Sequence, residues 1–285
     1  LKTCPDNSPL REQRKMRRPY ALINRLVVCT GAWKGAWLRS SRPCSAMAVN
    51  PATLKRPKTL PTSVIRGPGD LLCPDGIIVG VDEAGRGAWA GPVIAAAVFV
   101  EPGAQGLELG VTDSKRLTEE QRNWVFAQLT SNPAVHWSIG EVDQRRIDDV
   151  NVLEATYEAM ETAVRTLMEK AATRSVRLLI DGNRTPRQLS QDYTCTAVVR
   201  GDSRVFAIAA ASIIAKVKRD LQMRKLSHCH PSYSFSSHKG YGTKRHLLEL
   251  MRTGPIEAHR RQFEPVKTWV RTGEWRSSWH SGSSG

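Results

Sequence analysis

Two apolar runs, Ile77 to Val81 and Pro92 to Val100, stand about ten residues apart. A parallel crossover needs a dozen residues or more, so strands joined this closely have to pair antiparallel. A third run spans Ala134 to Val142, a fourth Val176 to Ile180, and a short fifth Thr196 to Val199. Helical patterns lie between them. Thr118 and Gln121 have capping-box spacing and open a helix to about Leu129. Asn151 caps a longer one, with Val152, Ala155, Thr156, Ala159, Met160, Ala163, Val164 and Leu167 recurring on one face. Val205 to about Met223 reads as a helix rich in small residues, and Thr243 to Arg252 as another, stopped by Gly254-Pro255. Three strands followed by strands alternating with helices predict an α/β fold: a mixed five-stranded sheet flanked by helices.

Charge divides the chain. The net charge is +15, yet residues 1–70 hold 14 Lys/Arg against Asp6, Glu12 and Asp70, and the rest is close to balanced. Residues 1–70 therefore read as a basic, disordered extension, residues 71–267 as the folded domain, and residues 268–285 as a Ser/Gly-rich flexible tail. An Arg-rich, acid-poor N-terminus is also the composition of an organelle transit peptide, and Met47 is an alternative start. Basic excess attracts polyanions. No apolar run is long enough to span a bilayer, so no membrane role is expected. The six cysteines form no Cys-x-x-Cys pair, which excludes zinc-site spacing and leaves a reducing compartment, the cytoplasm, as the default.

Four acids sit where apolar strands or their extensions stop. Asp82 and Glu83 follow Ile77 to Val81, Asp181 closes Val176 to Ile180, and Asp202 follows Gly201 after the fifth run. Adjacent strand residues point to opposite faces, so Asp82 and Glu83 meet only if the strand ends or bulges there. Gly85 and Gly87 make such a departure easy. Clustered carboxylates repel one another and call for a cation. Oxygen ligands without thiol or imidazole favour Mg²⁺ or Mn²⁺. Each acid alone has a plainer reading: Asp202, for instance, could cap a helix starting near Ser203.

At these residues the chain resembles the ribonuclease HII family. The resemblance is carried by Gly80-Val81-Asp82-Glu83-Ala84-Gly85-Arg86-Gly87 with Ala90-Gly91-Pro92-Val93, then Asp113-Ser114-Lys115, Ile180-Asp181-Gly182-Asn183 and Gly201-Asp202-Ser203. Ala209 to Val217 with Arg219-Asp220, His238-Lys239-Gly240-Tyr241-Gly242-Thr243, and His259-Arg260-Arg261-Gln262-Phe263 follow in the same order. Seven blocks in family order, over about residues 76 to 267, are far more specific than one motif. Ala88 stands where many members have Pro, and Gln262 where many have Ser.

The resemblance implies a ribonuclease H-like fold with a helical C-terminal extension. It implies a metal-dependent endonuclease that acts on RNA/DNA hybrids and on ribonucleotide-containing duplex DNA, working as a monomer. Asp82, Glu83, Asp181 and Asp202 would hold two Mn²⁺ or Mg²⁺ ions. Asp220 matches a further family acid near the second metal, or simply pairs with Lys216 one helical turn away. Gly85, Arg86 and Gly87 resemble the reader of the 2′-hydroxyl, the group that separates RNA from DNA. Tyr241 matches a tyrosine that stacks under the neighbouring sugar, though a Tyr in a Gly loop is also ordinary packing. Lys115 and Lys239, and more weakly Ser203 and Arg204, match phosphate contacts. His228, His230, His238 and His259 are too irregularly spaced to suggest a metal site. A non-catalytic binder would have no need of all four acids, and a DNA-only nuclease no need of the Gly-Arg-Gly segment.

Overall fold

The computed structural model describes residues 54–61, 76–101, 110–169 and 175–276. The transit-peptide and Met47 readings fall outside these residues. Five strands form one sheet: β1 (Ile77–Ala84), β2 (Val93–Val100), β3 (Val135–Val142), β4 (Val176–Asp181) and β5 (Thr194–Val198). Their order is β3-β2-β1-β4-β5. The short connection between β1 and β2 does produce an antiparallel pair, while β4 joins β1, and β5 joins β4, in parallel. The mixed five-stranded α/β sheet expected from the sequence is present.

Helices cover both faces. α1 (Glu119–Ser131) starts at the Thr118 capping box, and α3 (Val152–Met168) is capped by the Asn151 side chain. α5 (Phe206–Cys229) runs two turns beyond the expected end. Between these lie α2 (Gln144–Val150) and α4 (Arg187–Asp192), two short polar helices whose patterns are too brief to register in the sequence. One face of the sheet packs on α1 and α5, around Ile94, Val98, Trp124, Ile213 and Ile214. The other packs on α3, around Val79, Val81, Ala159, Leu178 and Ile180. Each fully buried aliphatic side chain contributes roughly 1.5–3 kcal/mol. Two glycines bring the helices close: a Cβ at Gly80 would lie 2.1 Å from the Ala207 carbonyl carbon, and one at Gly140 would lie 2.1 Å from the Ala159 carbonyl oxygen.

The helical C-terminal extension is also present. α6 (Phe235–His238), α7 (Lys244–Thr253) and α8 (Val266–Thr272) gather around Tyr233, Phe235, Leu250 and Val266. Both expected borders need correction. Leu54 and Leu60, assigned to the extension, pack on the α1/α5 core, and the Gln121 amide donates to the Thr59 carbonyl at 2.8 Å. Beyond Lys267 the chain stays ordered through α8, where Thr268 is buried and the Trp269 and Trp275 rings lie 5.9 Å apart. Apolar side chains spaced too sparsely to form a periodic pattern are still enough to dock a segment on an existing core.

Candidate active site

β1 neither ends nor bulges at Asp82. It runs on to Ala84, with Asp82 opposite Ala96 and Glu83 opposite Ala95. The two acids point to opposite faces of the sheet, toward α5 and α3 respectively. They share a site because β4 stops pairing with β1 at Val81 and Ile180, which opens the β1 edge beside Asp181. The expected strand departure is thus replaced by an unpaired edge flanked on both faces.

Each acid is held from its own side. Asp82, 6% exposed, accepts from the Glu83 amide at 2.7 Å and from the Ser212 hydroxyl on α5. Ser212 in turn lies 2.9 Å from the Ser114 hydroxyl, so Asp113-Ser114-Lys115 is anchored to the same helix. Asp181 accepts from the Gly201 amide at 2.7 Å and the Asp202 amide at 3.4 Å. Asp202 does not cap a helix: it sits inside a 3-10 turn (Gly201–Ser203), and α5 begins later, after Val205. Burial raises Asp82 well above the usual carboxylate range, and the charges of Glu83 and Asp181 push the same way. Burial also raises Glu83, against the pull of Arg86 at 3.2 Å. Asp202 is raised by burial and by Asp113 and Asp181. Lys115 stands 4.0 Å from Asp202, largely exposed, and neighbouring acids raise it despite partial burial.

This donor set fits a hard divalent cation: every ligand is oxygen, and a cation would offset both the burial and the mutual repulsion of these acids. Among the described residues, no three His, Cys, Asp or Glu side chains are already arranged to hold an ion.

Two residues expected here turn elsewhere. Asp220, 3% exposed, pairs with Lys216 at 2.5 Å and with Arg122 at 3.7 Å, and stands two turns along α5 from Ser212, about 12 Å. The structure therefore contains the ion-pair reading of Asp220. Lys239 is buried: its ammonium donates to the Ser236 carbonyl at 2.7 Å and faces Glu119 at 3.9 Å, so it is not a free phosphate contact. Ser203 donates to the Arg200 carbonyl beside Asp202, and Arg204 is exposed next to it.

The Gly85-Arg86-Gly87 turn is built by a residue that sequence reasoning passed over. Arg260, fully buried, donates to the carbonyls of Gly85 at 2.7 Å, Arg86 at 2.8 Å and Gly91 at 2.9 and 3.0 Å. In a trans peptide the carbonyl and the next amide point oppositely. The amides of Arg86 and Gly87 therefore turn away from the guanidinium, toward the surface on which both residues are exposed. Arg219, equally buried, donates to the carbonyls of Pro92, Lys239 and Ala90. Its guanidinium carbon lies 5.0 Å from the Tyr241 ring centroid, supporting one face of that half-buried ring. Both arginines lie inside the family-like blocks of the sequence, Arg219 beside Asp220 and Arg260 after His259, and nothing local in the sequence announces that their partners are distant carbonyls. A groove of about 430 Å³ continues from the Glu83 and Asp181 side along Leu153, Tyr157, Arg184 and Arg187.

Residues 79–266 match the family model described as Ribonuclease HII. The chain is 46% identical over 196 residues to the Ribonuclease HII of Chlamydia muridarum, covering 69% of this chain and 86% of the relative. Among solved structures it is similar to the ribonuclease H2 of Pyrococcus horikoshii, with 26% identity and a TM-score of 0.52 over 67% of this chain and 96% of that one. It also shares its fold with Bst-RNase HIII, solved in complex with Mn²⁺, at 18% identity and a TM-score of 0.54 over 69% of this chain and 70% of that one.

Proposed function

The chain belongs to the ribonuclease HII family and is an endoribonuclease of the ribonuclease H kind, and on that premise we propose that it cuts on the 5′ side of single ribonucleotides in duplex DNA as well as within RNA/DNA hybrids, with Mn²⁺ or Mg²⁺. The products are a 3′-hydroxyl and a 5′-phosphate. The reaction serves ribonucleotide removal and RNA primer processing, and one chain acts alone.

Asp82, Glu83, Asp181 and Asp202 are the residues that would hold the divalent ions. Such ions, when bound, activate the attacking water and stabilise the leaving oxygen of an in-line displacement. The chain itself binds and orients the substrate. Lys115, exposed beside Asp202, is placed to meet a phosphate. The outward amides of Arg86 and Gly87 offer donors to a 2′-hydroxyl, and the absence of a side chain at Gly87 lets the sugar come close. Tyr241, backed by Arg219, offers a flat face for the adjacent sugar.

The observation that carries this reading is the meeting of four acids from β1, β4 and the turn after β5 at one open sheet edge. The Mn²⁺ complex of the distant RNase HIII adds support for the choice of ion. The test is cleavage of end-labelled duplexes holding one ribonucleotide, four, or none, with Mg²⁺ or Mn²⁺. A cut 5′ of the lone ribonucleotide is expected, and equal cutting of the all-DNA strand would refute the reader.

A further inference from the structure

Behind Tyr241 lies a buried group of imidazoles that the cleavage chemistry does not use. His238, His246 and His259 are at most 7% exposed, and they pack against the rings of Tyr233 and Phe235. His246, which the sequence reading did not single out, is the centre. Its Nε2 lies 3.0 Å from Nε2 of His259, and its Nδ1 lies 2.9 Å from the Tyr241 carbonyl oxygen.

The partners fix where the protons are. The Tyr241 carbonyl can only accept, so Nδ1 of His246 carries a proton. A neutral His246 then has a lone pair on Nε2, and His259 must supply the proton between the two rings. That leaves Nδ1 of His259 as an acceptor, which the Ile256 amide meets at 3.1 Å. The Ile256 carbonyl, 3.3 Å from the same nitrogen, would suit the reverse arrangement, but that would set two lone pairs against each other at Tyr241. His238 is fixed independently: the Gly240 amide donates to its Nδ1 at 3.1 Å, and its Nε2 donates to Glu249 at 2.9 Å.

The loop so held is an unusual one. Lys239 and Gly240 are both left-handed, at φ 52° and 79°. The Gly240 carbonyl accepts from the Trp89 amide, and the Lys239 carbonyl from Arg219. The Tyr241 backbone is thus clamped while its ring is left partly free. His259 also precedes Arg260, whose guanidinium holds Gly85 and Arg86. One shared proton therefore joins the element that sets the Gly85–Gly87 turn to the element that sets Tyr241.

We propose that His246 and His259 are positioning residues that fix the spacing between the Gly85–Gly87 turn and Tyr241, acting as a pair of neutral imidazoles with a single workable arrangement of protons. The proposal rests on the reading that both loops meet the substrate. Protonating His246 would put two ring N–H groups face to face, and protonating His259 would set its Nδ1–H against the Ile256 amide. Other charged groups bear on the pair: His238 and Glu249 face His246, His230 and His238 face His259, and Arg245 lies against Glu249. Burial holds His246 down at about 4 and His259 at about 3, which keeps the pair neutral at working pH.

The test combines spectroscopy with kinetics. In the intact, ¹⁵N-histidine-labelled protein at pH 7, long-range ¹H–¹⁵N spectra are expected to show His246 protonated on Nδ1 and His259 on Nε2. An Nε2–H tautomer at His246 overturns the proposal, whatever the variants do. His246→Gln keeps a partner for His259 but has nothing to offer the Tyr241 carbonyl. It is expected to raise KM for the single-ribonucleotide duplex about tenfold, the scale of one buried hydrogen bond, with kcat little changed. His246→Asn, whose amide reaches where Nδ1 stood but no longer meets His259, is expected to raise KM as well, because positioning needs both contacts. A folded His246→Gln with wild-type KM also overturns the proposal. Tyr241→Ala, measured alongside, separates two failures. If Tyr241→Ala leaves KM unchanged, the substrate reading of Tyr241 falls and the proposal with it. If it raises KM while His246→Gln does not, only the positioning role falls.

Discussion

Arg260 reaches 2.7 Å from the carbonyl oxygen of Gly85, a residue 175 positions earlier in the chain, and has no carboxylate partner among the described residues. Its charge is met by backbone carbonyls and by the Phe263 ring, 5.1 Å away. Burial, and then the charge of Arg219, lower it to about 9, so it is still charged at neutral pH. A buried cation solvated chiefly by a loop's carbonyls, with Asp148 adding a longer-range attraction, holds that loop in one shape. Arg260→Lys keeps the charge but loses the planar fork that reaches several carbonyls at once. The variant should stay folded by near-ultraviolet circular dichroism and cut the single-ribonucleotide duplex about 10²-fold more slowly, as small misplacements of positioned groups do. Wild-type rates would remove Arg260 from the account of this turn.

Gly85 and Gly87 should respond oppositely to alanine. Gly85 has φ +100°, and a Cβ there would lie 2.0 Å from Arg219 Nε, whereas a Cβ at Gly87 meets no protein atom within 4 Å. Gly85→Ala is expected to lower Tm. Gly87→Ala should melt like the wild type yet lose about 10²-fold on a lone ribonucleotide, because its methyl group stands where the sugar would approach. Thermal melts and the labelled-duplex gel measure the two effects separately.

Asp82 is expected to destabilise the metal-free protein, because burial first and then the charges of Glu83 and Asp181 raise it. Its folded value lies above the ordinary one, so its contribution to stability is fully present below the ordinary carboxylate range and is lost as pH rises through the raised value. Asp82→Asn should therefore melt higher than the wild type in EDTA, by roughly 2–4 °C for each kcal/mol of burial cost and repulsion removed. That gap should widen from pH 4 to pH 8. Added Mn²⁺ should raise Tm of the wild type and not of Asp82→Asn, and cleavage by the variant should fall to background. Scanning fluorimetry with and without the ion decides it; a variant that Mn²⁺ stabilises equally would dissociate Asp82 from the ion.

The segment around Leu54 to Thr59 offers a fourth test. A chain starting at Leu54 should match the full protein in Tm, while one starting at Asp70 should lose about 2 kcal/mol from the part-buried Leu54 and Leu60, together with the contacts of Thr59 to Gln121 and of Arg56 to Trp124. Both should still cleave, and both should bind duplexes with a shallower salt dependence than the full chain because basic residues are gone. Equal melting of the two would show that the segment adds nothing.

Local pattern made much of this protein legible. The Thr118 and Asn151 caps, the periodic face of α3 and the short β1–β2 connection each depend on residues close in sequence, and each is found as read. The acids were legible because strand ends are visible as breaks in apolar runs. α2 was not, although its Asp148 accepts from the amides of Arg261 and Gln262 and so steadies the Arg260 segment. Seven residues of mostly polar helix carry no periodic signal.

The sequence by itself determined the strands, the major helices and the antiparallel start of the sheet, and it pointed to the four acids proposed to hold the ions. Tertiary structure alone decided how Asp82 and Glu83 come to one edge, that Asp220 and Lys239 are spent on internal pairs, and that Arg260 and His246 brace the two loops. The division has one physical cause. Caps, turns and amphipathic faces arise from interactions a few residues apart, whereas a buried charge or a neutral imidazole takes its role from whichever carbonyl or ring the fold brings to it. Those partners, from Gly85 to Arg260, become neighbours only after the sheet and its C-terminal helices have closed around them.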